Sequence, residues 1–370
     1  MTAAPRPDPP TVLVAALDWG LGHATRCIPI IRCLLAAGVA VRLAGSGPSG
    51  ALLRLEFPDL PYNELPATSV HYARSRHALL WKILLQVPKL RKVVEAENRW
   101  LHQLLNKEGI RGVISDNRYG LHHPGVRSVL ITHQLSIRTP LGRVGNDILR
   151  WWHYRLIGRF SACWVPDHEG APNLAGALAH PRNLPPVPTR YIGPLSRFAP
   201  AGPATGPKRL VLLLSGPEPQ RSLFERQLCA QLPGYGTPVL LVRGLPRGGG
   251  SALQLPAHVQ VLDHLSSSDL HTELSAASFV LARSGYSTVM DLAALGVRGI
   301  LVPTPGQPEQ EYLGRHLQSE GFAPAFRQED FDLAAALAAA ERFPYRIPQP
   351  GGPAPLERTV REWLATLPAS

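Results

Sequence analysis

The sequence predicts an α/β protein of two lobes, each built on a parallel sheet. Three observations carry this reading. The chain has 370 residues, more than one ordinary core accommodates and suited to two domains of roughly 150 to 200 residues each. In its first half, apolar runs at TVLVAAL, VAVRLAG, RGVISD and VRSVLIT alternate with helix-like segments, the rhythm of a sheet buried on both faces. In its second half the rhythm returns at LVLLLSG, PVLLVRG, HVQVLDHL, SFVLARSG and GILVPTPG.

Between the two series lies SRFAPAGPATGPKR, rich in Pro, Gly and Ala with little to bury. It places a linker at 196–207, between an N-terminal domain over 11–195 and a C-terminal domain over 208–345. The first ten residues, MTAAPRPDPP, hold no apolar segment of signal-peptide length and read as a disordered tail, so a cytoplasmic protein is expected. At the other end, 346–370 forms a helical segment, because PLERTVREWLATL has apolar residues at helical spacing.

Composition narrows the function. With 45% hydrophobic and 18% charged residues and no long apolar stretch, the chain is a globular protein and not a bilayer-spanning one. Its net charge of +11 attracts phosphates, whether on a small substrate, an anionic lipid or nucleic acid. Nucleic acid is not expected, since no zinc-finger spacing, aromatic RNA-binding signature or long basic tail accompanies the charge. Cys27, Cys33, Cys163 and Cys229 form no C-x-x-C pair and read as buried free thiols. The histidines show no metal-ligand spacing, so no metal site and no cofactor are expected.

Two stretches carry chemistry. In LVAALDWGLGHATRCIPII, starting at Leu13, a strand, a Gly-rich turn and a helix follow one another. That order puts unpaired backbone N–H groups at the carboxyl edge of a sheet. Gly20 and Gly22 let a polar group approach the backbone, and His23 sits where the turn opens toward the crevice. In ARSGYSTVMDLAALGVRGILVPTPGQPEQEYLGRHL, Gly285 follows a strand, Ser287 or Thr288 is expected to cap the next helix, and Asp291 is expected in its first turn. A helix N-terminus there stabilises a diphosphate, and an acid one turn in accepts hydrogen bonds from ribose hydroxyls.

This second segment resembles the donor-binding helix of MurG-type glycosyltransferases of the GT-B fold, glycosyltransferase family 28 and its relatives. The pattern reads here as Arg283, Ser284, Gly285, Thr288, Val289, Asp291, Gly296 and Pro303, then Gln310 and Glu311 ahead of Tyr312. GLGHATR resembles the family's Gly-rich loop and histidine, and YIGPLSR places Arg197 where the family has a phosphate-contacting arginine. The resemblance implies two Rossmann-like domains with parallel sheets facing a central cleft, and inverting transfer of a sugar from a nucleotide donor, most simply a UDP-sugar. Carried over, Asp291 holds the ribose, and Ser284, Gly285 and the N–H groups beside Ser287 face the diphosphate. Arg197 neutralises that diphosphate, Gln310 and Glu311 grip the sugar, and Leu265 reads the base edge through its backbone.

Two departures from the family pattern stand out. The Gly-rich loop after the first C-lobe strand is SGPEPQR here, so Ser215 and Gly216, with Gln220 or Arg221, are expected to take over phosphate contacts. The family's H-E-Q-N segment corresponds to HQLS at His133, with Gln134 in the acidic position, so the base is not carried over. An acceptor hydroxyl needs a base near neutral pH, and His23 is the first candidate by its ordinary pKa. Asp116, at the end of a strand in ISDNRYG, Asp18 and His133 compete with it or orient it.

RSRHALLWKILLQVPKLRKVVEAENRW and ILRWWHYRLIGRF mix Leu, Ile and Trp with Arg and Lys, a composition suited to a membrane interface. Two readings of these stretches stay open: a lipid-linked acceptor with peripheral attachment to the inner face of a membrane, or two core-packed helices with solvated basic edges. Two other readings stay open: a sugar-nucleotide 2-epimerase on the same fold, which needs no acceptor, and a non-catalytic basic membrane or nucleic-acid binding module, which tolerates loss of His23 and Asp291.

Overall fold

The computed structural model describes residues 9–18, 20–66, 79–137, 142–200, 208–245, 248, 252–348 and 354–368. The chain divides into two compact units, the first made of 1–169, 177–195 and 352–370, the second of 170–176 and 196–351. The proposed tail, up to residue 8, and 201–207 of the proposed linker lie outside the described residues.

In the first unit the elements run β1 (Thr11–Ala16), α1 (Leu21–Ala36), β2 (Ala40–Gly45), α2 (Gly47–Glu56), β3 (Tyr62–Glu64), α3 (Leu79–Leu105), β4 (Ile110–Asp116), β5 (Arg127–Ile131), α4 (Gly142–Ile157), β6 (Ala162–Val165) and β7 (Thr189–Tyr191). All seven strands pair in parallel, in the order β3-β2-β1-β4-β5-β6-β7. Val12 to Ala16 are buried without alternation, because β1 is covered on both faces. From β1 the chain winds first one way, to β2 and β3, and then from β4 the other way. The β1–β4 seam is thus the switch point of the sheet, where the loops leaving adjacent strands part and open a crevice at the carboxyl ends.

In the second unit come β8 (Arg209–Leu213), α5 (Gln220–Gln231), β9 (Val239–Val242), β10 (Val259–Leu262), α6 (Ser267–Ser275), β11 (Ala277–Ala282), α7 (Tyr286–Leu295), β12 (Gly299–Leu301), α8 (Pro308–Ser319) and α9 (Leu333–Arg342). The sheet is again parallel, ordered β10-β9-β8-β11-β12, and its switch point is the β8–β11 seam. Phe224 and Leu228 of α5 and Leu333, Ala336 and Leu337 of α9 bury against Leu210, Leu212 and Leu281 of the sheet. These apolar positions recur at helical spacing, and one face of each helix is thereby removed from water.

The last helix, α10 (Ala354–Leu364), lies in the expected C-terminal helical segment and groups with the first unit. Its apolar stripe of Leu356, Val360 and Trp363 is buried in the first unit, where Trp363 meets Trp164 edge-on at 5.7 Å. A Cβ at Gly112 of β4 would lie 2.5 Å from the Trp363 ring. Residue 112 must therefore be glycine for α10 to dock, which spacing within the helix alone does not reveal. Cys27 and Cys163 are buried and Cys33 and Cys229 half-buried, all four free. Among the described residues no helix is long and apolar enough to cross a membrane.

Candidate active site

The switch point of the first unit brings together His23 of α1 and Asp116 at the end of β4. Gly20 precedes the helix with φ 103° and ψ 161°, a conformation essentially reserved for glycine. A Cβ there would meet no protein atom within 4 Å, so within the protein it is the backbone turn that demands glycine. Gly22 lies inside the first turn of α1, where its carbonyl accepts from Thr25 Oγ1 at 3.0 Å. His23 follows as the third helical residue, and its side chain retains 16% exposure while Asp116 is fully buried.

His23 Nδ1 lies 3.0 Å from Asp116 Oδ1. Arg26, one turn further along α1, donates from Nε to Asp116 Oδ2 and from Nη2 to Asp116 Oδ1. Its Nη2 also stands 2.7 Å from His23 Nδ1, and its Nη1 3.4 Å from His133 Nδ1. Burial pushes the Asp116 carboxyl up, but the Arg26 guanidinium and the His23 ring outweigh it and hold the group down at about 2. Burial, with Arg26 beside it, lowers the His23 pKa below 6.5 against the pull of Asp116. At neutral pH the site therefore holds an ionised carboxylate, a guanidinium and a neutral imidazole.

The other two base candidates are placed differently. Asp18 accepts from Ser46 Oγ at 2.9 Å, and Ser46 in turn accepts from Arg118 Nη2 at 2.8 Å. Arg118 is buried, pairs with Glu97 at 2.9 Å and donates to the Ala16 carbonyl at 2.8 Å, so it ties the end of β1 and the start of α2 to the body of α3. Asp18 thus belongs to a network that fixes the strand ends. His133, 5% exposed, reaches the site through Arg26. Between Asp116 and Arg118, Asn117 has φ 53°, the left-handed turn that redirects the chain after β4.

At the switch point of the second unit, α7 starts at Tyr286 behind Gly285, which holds the N-cap position without a side-chain hydrogen bond. Neither Ser287 nor Thr288 caps the helix, as both lie inside its first turn. Asp291 is the sixth helical residue, in the second turn and not the first. From there it accepts from Ser196 Oγ at 2.6 Å. Burial pushes its carboxyl up to about 6, although Arg197 and the Ser196 hydroxyl pull it down. Arg197 donates from Nη1 to Ser267 Oγ at 3.1 Å and lies over the Phe198 ring.

Ser284 is fully buried and donates to the Gln310 carbonyl at 2.8 Å, which docks α8 beside the α7 N-terminus. Gln310 Oε1 accepts from the Thr304 N–H at 2.9 Å, and Glu311 Oε1 from the Gly306 N–H at 2.9 Å. These two side chains shape the loop after β12. Arg283 is buried and donates to the carbonyls of Val302, Pro303 and Gln220, so it holds loops together. In the loop after β8, Gly216 has φ 104° and faces Thr304 Oγ1, a buried hydroxyl without a hydrogen-bond partner. Ser215 precedes it at the end of the β8 region, half-buried. Arg221 is drawn into Glu218, Glu225 and the Arg243 carbonyl, which removes it as a phosphate ligand. Leu265 is half-buried in the loop between β10 and α6.

Sequence reasoning missed Arg26 and Ser196. Arg26 lies within the quoted GLGHATR, three residues after His23 and so on the same helical face, a spacing that would have signalled contact. Ser196 fell inside the expected linker. Among the described residues no group of three His, Cys, Asp or Glu side chains is placed to hold a metal ion.

Residues 257–347 match the glycosyltransferase family 28 C-terminal domain. The UDP-N-acetylglucosamine–N-acetylmuramyl-(pentapeptide) pyrophosphoryl-undecaprenol N-acetylglucosamine transferase of Methylobacterium radiotolerans is 40% identical over 84 residues. That match spans 21% of this chain and 23% of the relative, so the alignment covers about a quarter of the curated protein. Over the whole fold, the calicheamicin glycosyltransferase CalG4 aligns with TM-score 0.64 at 16% identity, covering 97% of this chain and 99% of its own. Acinetobacter baumannii MurG aligns with TM-score 0.55 at 14% identity over 96% of this chain and 100% of its own. The two parallel-sheet Rossmann-like units are thus those of the GT-B fold.

Proposed function

We propose that this chain, a MurG-like protein with a family 28 C-terminal domain on a GT-B frame, is an inverting glycosyltransferase that moves a hexose or N-acetylhexosamine from a UDP-sugar to a hydroxyl of a lipid-linked acceptor. The observation that carries the reading is the His23–Asp116 contact at the first unit's switch point, matched by a helix N-terminus at the second unit's switch point. The donor is assigned to the second unit, where the α7 dipole and Arg197 offset the charge of a diphosphate without a metal. Asp291 accepts from the ribose hydroxyls. Ser215, Gly216, Ser284, Gly285, Ser287 and Thr288 surround the phosphates, Leu265 meets the base, and Gln310 and Glu311 face the sugar.

The acceptor is assigned to the first unit. Its hydroxyl oxygen attacks the anomeric carbon as the bond from that carbon to the diphosphate oxygen breaks, and the bonding pair leaves with the diphosphate. The hydroxyl proton passes to His23 Nε2, while Asp116 orients the ring through Nδ1 and steadies the cation that forms. The name of the Methylobacterium relative includes both a UDP-sugar and a pyrophosphoryl-undecaprenol, which favours this donor and this acceptor class. Calorimetric titration with UDP-, dTDP- and GDP-sugars tests the donor: one UDP-sugar binding in the micromolar range supports the reading, and silence of all nucleotides at millimolar concentration refutes it.

The peripheral attachment at the inner face of a membrane that this reading includes is assigned to α4. Ile148, Trp151 and Trp152 are 55%, 55% and 51% exposed. With the exposed Arg155 they form one helical face, continued by the exposed Arg159 just after the helix ends, while His153 and Ile157 turn inward. Arg155 stacks over the Trp151 ring, its centre 4.8 Å away, and the two border a groove with Leu184 and Pro186. Indole rings at headgroup level beside cations suit an anionic bilayer. Of the two stretches singled out in the sequence this is the one with described side chains throughout, since 74–78 lie outside the described residues. Each cation near an anionic surface contributes about 1 kcal/mol, so Arg155→Glu with Arg159→Glu should weaken sedimentation with phosphatidylglycerol vesicles by more than about tenfold. Trp151→Ser with Trp152→Ser should weaken it toward neutral phosphatidylcholine as well, and vesicle binding unchanged in both pairs would remove α4 from the membrane.

A further inference from the structure

Arg26 has no place in the proton path above, yet its guanidinium touches every other member of the first unit's site. It takes both oxygens of Asp116, stands 2.7 Å from His23 Nδ1 and reaches His133. We propose that Arg26 is a positioning residue that governs when His23 carries a proton: by occupying both carboxylate oxygens it withdraws the anion that would otherwise draw a proton onto the ring. The inference rests on His23 being the base of the proposed transfer, and its test is chosen to stand apart from that assignment.

The argument is one of charge in a closed space. Asp116 is fully buried and Arg26 is 2% exposed. A His–Asp pair by itself is neutral when the ring is protonated, so a buried carboxylate favours the imidazolium. With Arg26 present the same protonation leaves a net positive charge in a buried cluster, and burying an unpaired charge is costly. The groups that bear on the His23 ring are Arg26 from its own helix, Asp116 from β4 and His133 from the segment after β5. Only Asp116 among these three is anionic, and Arg26 holds it.

Geometry makes the same point at Nδ1. The ring nitrogen faces an acceptor, Asp116 Oδ1, at 3.0 Å and a donor, Arg26 Nη2, at 2.7 Å. As a base toward substrate, His23 must keep its Nδ1 hydrogen on Asp116 and its Nε2 lone pair outward. Arg26 competes for Nδ1 and shares Oδ1, so it limits how strongly Asp116 enhances the basicity of Nε2. The ring then meets the acceptor hydroxyl already unprotonated throughout the neutral range. The proton it takes during transfer also leaves readily, which resets the site for the next turnover.

The test is a side-chain NMR titration of His23 in the full-length protein, wild type against Arg26→Met, Arg26→Lys and Asp116→Asn. The expected order of midpoints is Arg26→Met highest, at least about one pH unit above wild type, with Asp116→Asn below wild type. Arg26→Lys, which keeps the charge but cannot grip both oxygens, falls between wild type and Arg26→Met. Should Arg26→Met fail to fold by circular dichroism, the Arg26→Lys and Asp116→Asn pair decides, since they must move the midpoint in opposite directions. Midpoints that do not move, or that move together, overturn the proposal. Failure of the base assignment looks different: His23→Ala would retain full turnover while the titration order above persisted.

Discussion

His23→Ala is expected to lower the turnover number for sugar transfer by about 10²- to 10⁴-fold, the usual contribution of a positioned acid or base. Donor affinity should not change, because the nucleotide is assigned to the other unit. Asp116→Asn should cost a comparable factor, since it removes the anion 3.0 Å from Nδ1 that steadies the imidazolium and leaves the buried Arg26 without its counter-charge. The pH profile supplies the sign. Burial and Arg26 place the His23 pKa below 6.5, so the ring is already neutral at pH 7. Turnover should therefore be flat from pH 7 upward and fall only on the acid side, as protonation removes the base. Steady-state transfer from pH 5 to 9 checks both points. A variant that keeps wild-type turnover together with the wild-type acid limb would exclude His23 as the base.

Much of this arrangement was legible in the sequence because strands of parallel sheets write themselves as continuous apolar runs. RGVISD and LVLLLSG stand at the centres of the two sheets, and both read as strands from their apolar runs. The short edge strands of the first sheet were not. Tyr62–Glu64 and Thr189–Tyr191 have three residues each and are largely half-exposed, so they carry no run long enough to separate from a loop. Ala162–Val165 is buried but only four residues long. The destination of α10 was hidden for a different reason: its stripe predicts a helix with a buried face, while the surface that receives it depends on a glycine 251 residues earlier in the chain, at Gly112 beneath Trp363.

The site was legible in its residues more than in its connections. His23, Asp116, Asp291 and Gly285 were identified from strand ends and helix starts, and the topology places all four at switch points. What one-dimensional spacing could not supply was the partner of each group. Asp18 and Asp116 both end strands in the same sheet, yet Asp18 meets Ser46 and Asp116 meets Arg26. Arg221 and Arg197 both read as phosphate ligands, yet the carboxylates of Glu218 and Glu225 lie one turn from Arg221 and capture it. In each case the deciding contact comes from a neighbouring side chain, a hydroxyl for Asp18 and a charged group for Asp116 and Arg221, and not from spacing within a motif.

Asp291→Ala is expected to weaken nucleotide-sugar binding at pH 7 by roughly ten- to hundredfold, the loss of about 1.5–3 kcal/mol for hydrogen bonds to a charged acceptor. The carboxyl titrates near 6 because burial raises it further than Arg197 and Ser196 lower it. Ribose hydroxyls donate to the ionised form, so wild-type affinity should rise as pH climbs from 5 to 7, with a proton released on binding near pH 6. Asp291→Asn keeps the shape but not the charge, and its weaker binding should show no such step. Folding stability has the opposite slope: between about 4 and about 6 the folded carboxyl retains a proton that the unfolded one has lost, so this residue makes the free protein less stable as pH rises through that window. The donor-free protein thus carries a half-buried carboxylate at neutral pH at some cost, and a bound ribose offsets that cost by donating to it. Calorimetry in two buffers of different ionisation enthalpy, at pH 5, 6 and 7, reads affinity and proton release together. Equal affinities for wild type and Asp291→Ala at pH 7 would take the ribose away from α7 and, with it, the orientation assigned to the donor.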